Sequence, residues 1–316
     1  MLIKKINIIV WLCAAINVLY MYSAIAENQV FNFKFTPSVK EGYERNVFLD
    51  SSRKGDSFTQ PALSLDANYK ITPNLKAGIE YDFTGLFYGQ YTDLDVVNNE
   101  AAAFFAYDLM PNLSLKAGYG ADSNYYLNDK TGTYLAYGPL SALQYYFNKN
   151  LFLKAGYDFR IYDYDKKLIR DGSGRELGSH REDHRHTVTF TAGQRINKIL
   201  LRLEERIDFN DSNDEYMDYY DYTAYKTGAS FTAPVLKNLY LTAYGSYRYK
   251  DFTSRRKLDL SAVEKQKTMT LGASAYYKVY KSCYVNIGYA YMQNYSNEPL
   301  NRYSDSAASA GARIFF

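Results

Sequence analysis

Residues 73–83 read PNLKAGIEYDF, residues 111–122 read PNLSLKAGYGAD and residues 149–160 read KNLFLKAGYDFR. Looser copies follow at 197–209 (NKILLRLEERIDF), 237–249 (KNLYLTAYGSYRY) and 281–292 (KSCYVNIGYAYM). Each begins in a tight polar turn and runs into alternating apolar and polar residues. Alternation with period two marks a strand, because successive side chains of an extended chain point to opposite faces. In the first copy Leu75, Ala77, Ile79, Tyr81 and Phe83 share a face, and Lys76, Gly78, Glu80 and Asp82 share the other. The stretches between the copies alternate too: Leu63, Leu65, Ala67, Tyr69 and Ile71 oppose Ser64, Asp66, Asn68 and Lys70. The repeated phrase is therefore half of a hairpin, recurring along the chain.

The connections fall into two sets. The turns around Pro73, Pro111, Lys149, Lys198, Lys237 and Lys281 are very short. The others are longer and polar, at about residues 45–57, 89–95, 127–132, 165–183, 210–216, 253–262 and 297–301, the fourth being the longest. Six short turns joining seven hairpins predict fourteen strands, with twelve or sixteen also compatible with such boundaries. Short turns at one end and long loops at the other predict a transmembrane, antiparallel, up-and-down β-barrel with the short turns in the periplasm. A secreted β-sandwich would show the same alternation with its apolar face inward, so alternation alone does not decide between them.

The flanks and composition favour the barrel. Lys4 and Lys5, an apolar run over residues 8–20 and Ala24-Ile25-Ala26 predict a secretory signal peptide over residues 1–26, cut before Glu27. Residues 27–316 then form one barrel domain. An uncleaved anchor is the competing reading; a lipoprotein at Cys13 fits poorly, since Leu12 is not a small residue. No later apolar run approaches the ~20 residues of a spanning helix. The chain has 35 Tyr and 18 Phe against 1 Trp, a load that suits strands and membrane interfaces. Cys283 is the one cysteine left after cleavage, so no intramolecular disulfide is expected; it is read as an inert thiol. The net charge of +3 points to no nucleic-acid partner.

The chain ends Ala312-Arg313-Ile314-Phe315-Phe316, with Ala308, Ala310, Ala312 and Ile314 alternating toward the terminal aromatic. This resembles the C-terminal strand signature of Gram-negative outer-membrane β-barrel proteins. The resemblance implies that Phe316 is an insertion signal for the barrel-insertion machinery, and that the chain resides in the outer membrane among lipid and lipopolysaccharide. In length and strand count the chain also looks like the monomeric fourteen-stranded porins, though no motif assigns it to one porin family.

The polar face would line the lumen. Its positive candidates are Lys76, Lys116, Lys154, Arg160, Arg202, Arg206, Lys226 and Arg248, and its negative ones Glu80, Asp82, Asp158 and Glu204. Across the whole register cations outnumber acids, which predicts passage of small hydrophilic solutes with a weak preference for anions or acidic oligosaccharides. The competing reading pairs these charges as cross-strand ladders that hold the barrel's shape. The alternative function is a non-conducting barrel serving adhesion, envelope structure or an export or assembly machine. Glu205 breaks the apolar face between Leu203 and Ile207; a subunit contact, an inward bulge or protonation would each accommodate it.

No enzyme, cofactor or metal is expected. His180, His184 and His186 lie in or beside the longest predicted loop, with Glu182 on the face of His184 and His186, and are read as solvated loop residues. Nothing resembles a G-x-S-x-G nucleophile motif. The Asp171-Gly172-Ser173-Gly174 turn lacks the strand-to-helix context of a phosphate loop.

Overall fold

The computed structural model describes residues 31–216 and 218–316; the expected signal peptide lies outside them. Fourteen strands form one closed antiparallel barrel. They are β1 (Phe31–Glu44), β2 (Asp56–Lys70), β3 (Leu75–Tyr88), β4 (Val96–Met110), β5 (Leu113–Tyr126), β6 (Tyr134–Asn148) and β7 (Leu151–Arg170), then β8 (Glu176–Ile196), β9 (Ile199–Ser212), β10 (Tyr222–Leu236), β11 (Leu239–Arg256), β12 (Val263–Tyr280), β13 (Cys283–Ser296) and β14 (Tyr303–Ile314). Each strand pairs with its chain neighbours, and β1 closes the ring on β14 from Ser38 opposite Arg313 to Glu44 opposite Ala307. Beyond Ser38 the last residue completes the seam. Phe35 N–H donates to the Phe316 carbonyl at 3.3 Å, Phe316 N–H donates to the Phe35 carbonyl at 3.0 Å, and the two rings lie 6.0 Å apart.

Closure pairs each strand on both sides over most of its length, so the ladder leaves no open sheet edge through the wall. The face carrying Ile79, Phe105, Leu203 and Ile287 points outward; these side chains are 54%, 59%, 60% and 65% exposed. A continuous apolar exterior of this kind needs lipid rather than water around it.

The phrase that opens each repeat marks one end of the barrel. Two residues connect β8 to β9 and β10 to β11, and Asn197 (φ 55°) and Asn238 (φ 68°) take the left-handed conformation there. Asparagine tolerates that region better than most side chains, which explains its recurrence in these turns.

One expectation is corrected. Residues 165–183 are not a long loop: β7 runs to Arg170, β8 starts at Glu176, and the connection is residues 171–175. His180, His184 and His186 are strand residues, not loop residues. The outer face of this hairpin carries Asp163, Asp165, Glu182 and His184 in place of apolar residues, so no apolar alternation marks it.

At the long-loop end each hairpin is tied to the next, a loop or strand end of one bonding to the other. Asp305 accepts from Asn46 N–H at 2.9 Å, and Asp56 from the N–H groups of Gln90 and Tyr91 at 2.7 and 2.9 Å. Asn128 donates to the Thr92 carbonyl at 2.7 Å, and Asp165 N–H to the Thr133 carbonyl at 3.2 Å. Asn213 donates to the His180 carbonyl at 3.2 Å, Thr253 N–H to the Asp221 carbonyl at 2.9 Å, and Leu258 N–H to Glu298 at 2.8 Å. These eight hydrogen bonds form seven links, which run once around the rim. Within single loops, Asp50, Asp171 and Asp259 each accept from the serine two residues on. The Ser261 hydroxyl and N–H, with the Lys257 ammonium, hold Asp259 down at about 2. Burial, with repulsion from Asp211, Asp218 and Asp183, pushes Asp221 up to about 6.

Candidate functional site on the inner wall

The register puts all twelve predicted charged residues on the face opposite the apolar belt. Lys76 stands opposite Lys70, Lys116 opposite Ala106, Lys154 opposite Thr191 and Arg202 opposite Ser230, each in step with neighbours on the same side. Some are brought together. Lys116 Nζ lies 2.7 Å from Glu80, Arg160 Nε 2.8 Å from Asp158, and Arg206 Nε 2.7 Å from Asp208, which Arg248 also approaches at 3.6 Å. Among the described residues Lys76, Lys154, Arg202, Lys226, Asp82 and Glu204 have no ion-pair partner within 4 Å. The wall is thus part ladder and part free charge.

Toward the long-loop end the inner face becomes a lattice of cations and rings. Arg185 lies 4.1 Å from the Tyr162 ring centre, Arg181 3.4 Å from Tyr220, and Lys250 3.7 Å from Tyr222 and 4.3 Å from Phe252. Cations over aromatic faces gain electrostatic attraction without a counter-charge. Arg181 also pairs with the fully buried Asp183, and Arg255 Nε lies 2.8 Å from the buried Glu264. Arg160 is 6% exposed and its Nη1 has no hydrogen-bond partner.

Lower down, rings are laid against the wall. A Cβ on Gly78 would come 2.3 Å from the Phe104 ring, one on Gly193 2.2 Å from Phe152, and one on Gly272 2.3 Å from Tyr244. Each glycine lets a neighbouring aromatic fold flat over its strand, so bulk stays on the wall and out of the lumen. Phe104 carries the Lys116 ammonium 3.7 Å above it.

No family model matches the sequence, and no curated protein matches it. Among solved structures, the outer membrane channel DcaP of Acinetobacter baumannii is similar over 90% of this chain and 97% of that one, at 11% identity and a TM-score of 0.55. A loop L8 deletion mutant of OmpT, an outer membrane protein of Vibrio cholerae, is similar over 91% of this chain and 100% of that one, at 11% identity and a TM-score of 0.50. The fold is that of a bacterial outer-membrane β-barrel. In barrels of that fold the short turns mark the periplasmic end and the longer loops the extracellular one.

Glu205 keeps the outward register expected for it, and several residues of the inner wall were missed by the sequence reading. Glu205 does not bulge inward: it stays in register opposite Thr227 on the outer face, and the Thr227 hydroxyl donates to it at 2.7 Å. The histidines also face outward. His184 Nε2 lies 2.8 Å from Glu182, and His186 Nδ1 lies 2.8 Å from the Tyr157 hydroxyl. Among the described residues no group of three or more His, Cys, Asp or Glu could hold a metal ion. Arg181, Asp183 and Arg185 were hidden in or beside the supposed loop. Glu100 was missed because the stretch around it, Val96-Val97-Asn98-Asn99-Glu100, carries no apolar alternation.

Proposed function

We propose that the chain is an outer-membrane channel for passive diffusion of small hydrophilic solutes. The observation that carries this reading is the inner wall: free charges and ion pairs continue along it from the periplasmic third to the mouth, while aromatic bulk is folded flat over glycines. A barrel with a purely mechanical role would gain more stability from filling its interior with apolar side chains than from holding unpaired Lys154, Arg202 and Lys226 there. The low-dielectric wall focuses the field of these charges onto whatever passes. The expected signal peptide and the barrel-insertion machinery belong to the same proposal, as the route by which the chain reaches the membrane. Purified protein added to a planar bilayer is expected to give stepwise conductance. A protein that inserts, shown by heat-modifiable mobility on a gel, and yet passes no ions is a non-conducting barrel.

A further inference from the structure

Two rows of the inner wall break the usual pairing rule. Like charges directly opposite one another on neighbouring strands destabilise a sheet. On β9, β10 and β11, Arg206 stands opposite Lys226, and Lys226 opposite Arg248. On β3, β4 and β5, Asp82 stands opposite Glu100, and Glu100 opposite Asp122. Three cations are thus set shoulder to shoulder in one place, and three acids in another. Alternating their signs would have turned each row into a stabilising ladder. Asp208 offsets part of the basic row through Arg206 and Arg248, but Lys226 at its centre has no ion-pair partner. Asp82 and Glu100 have none either among the described residues, and both are exposed.

The two rows face each other. In the closed order of strands, β6, β7 and β8 separate them on one side and β12, β13, β14, β1 and β2 on the other. Both stand at the same level, each about ten residues beyond its own periplasmic turn. Arg160, whose guanidinium lies over Gly120 beside Asp122, offsets part of the acidic row, but the exposed Asp82 and Glu100 leave that wall negative where the opposite wall is positive. Such an arrangement gives little net preference for anions or cations, because each is attracted to one wall and repelled by the other. It holds best a solute that carries both signs at separated atoms and can turn its ends to the two walls.

Resting on the channel reading above, we propose that Asp82–Glu100–Asp122 and Arg206–Lys226–Arg248 form a transverse filter that retains dipolar solutes, meaning small zwitterions with an ammonium and a carboxylate or phosphate at opposite ends. The acids take the ammonium and the basic row takes the anion. Lys226 and Glu100 are the central contacts.

The test uses single channels of the full-length purified protein in a planar bilayer. Four probes of matched length are added in turn: 6-aminohexanoate, hexanoate, hexylammonium and hexanamide. The zwitterion is expected to interrupt the current for about tenfold longer per event than either singly charged probe. Glu100→Gln and Lys226→Gln are each expected to bring its residence time down to that of the singly charged probes. Asp259→Asn, in an extracellular turn, is expected to leave it unchanged. Each variant's folding is verified by its own conductance and heat-modifiable mobility. Equal residence for zwitterion and anion overturns the filter, as does a zwitterion response that survives both Glu100→Gln and Lys226→Gln. A wild-type protein that never conducts overturns the channel reading itself, and the filter with it.

Discussion

Asp208 is the residue on which the basic row depends. It is 4% exposed, accepts from Arg206 Nε at 2.7 Å and from the Thr187 hydroxyl at 2.9 Å, and lies 3.6 Å from Arg248. On an effective dielectric of about 20, two like charges about 8 Å apart repel by about 2 kcal/mol. The row contains two such neighbouring pairs, Arg206 with Lys226 and Lys226 with Arg248. The attraction of Asp208 for the two guanidiniums offsets a comparable amount. Because those arginine side chains are 39% exposed, water screens part of both terms. Asp208→Asn is therefore expected to cost about 2–3 kcal/mol, short of the full penalty for breaking a completely buried pair. The measurement is urea unfolding of the protein in lipid vesicles, followed by tyrosine fluorescence or circular dichroism. Two further arms isolate the cause. Raising salt to about 1 M shrinks the Debye length to about 3 Å and should recover much of the loss. Adding Lys226→Gln to Asp208→Asn should recover part of it at low salt, by removing the central repulsion. A loss under about 0.5 kcal/mol, within the range of ordinary surface substitutions, would refute the reasoning, as would a loss indifferent to both salt and Lys226.

Other outcomes follow from single contacts. A Cβ on Gly138 would meet the Phe159 carbonyl at 2.0 Å, and backbone cannot step aside as a side-chain tip can; Gly138→Ala should cost about 1–3 kcal/mol, read as a lower heat-modifiability midpoint on a gel. Glu205→Leu removes a lipid-facing carboxylate and should raise the urea midpoint in vesicles, whereas Glu205→Lys should lower it, since basic residues are the costlier ones on that face. Asp221 is raised toward 6 in the folded loop, so its neutral form stabilises the loop below an unfolded value near 4 and that contribution is lost as pH rises through about 6. Hydrogen-exchange protection around residues 218–221, taken relative to the intrinsic base-catalysed rate at each pH, should accordingly fall between about pH 4 and pH 6, and Asp221→Asn should flatten that dependence. Phe316→Ala removes a ring contact to Phe35 and weakens the seam; fractionation of cells should show less heat-modifiable protein in the outer membrane, and unchanged assembly would rule out the insertion role.

The barrel was legible because lipid imposes a pattern. Ile79, Leu153, Leu203 and Ile287 must face hydrocarbon while their neighbours do not, and that contrast is written in period two. The strand count, turn asymmetry and closing strand all follow from it. Where lipid stops, the pattern stops: the β7–β8 hairpin continues with Asp163, Asp165, Glu182 and His184 on its outer face and Arg181 and Asp183 on its inner one, so its residues read as a loop. The organisation of the charged face was not legible. That Glu100 stands between Asp82 and Asp122, and Lys226 between Arg206 and Arg248, depends on strand register, a relation among distant stretches that no local pattern reports. Arg181 and Arg185 were obscured for the same reason as the hairpin that bears them.

The seven links that join each hairpin to the next at the long-loop end make the mouth a hoop rather than a set of independent flaps. An insertion or exchange at a residue that makes a link breaks it and loosens a neighbouring hairpin it never touched. Surface variation in this protein is therefore coupled: the connection bearing Asn46 changes freely only together with the strand that presents Asp305, and the one bearing Gln90 only with Asp56. Grafting a foreign peptide between Asp171 and Ser173, in a turn that carries none of these links, leaves the hoop intact; grafting it at residues 89–91 opens it.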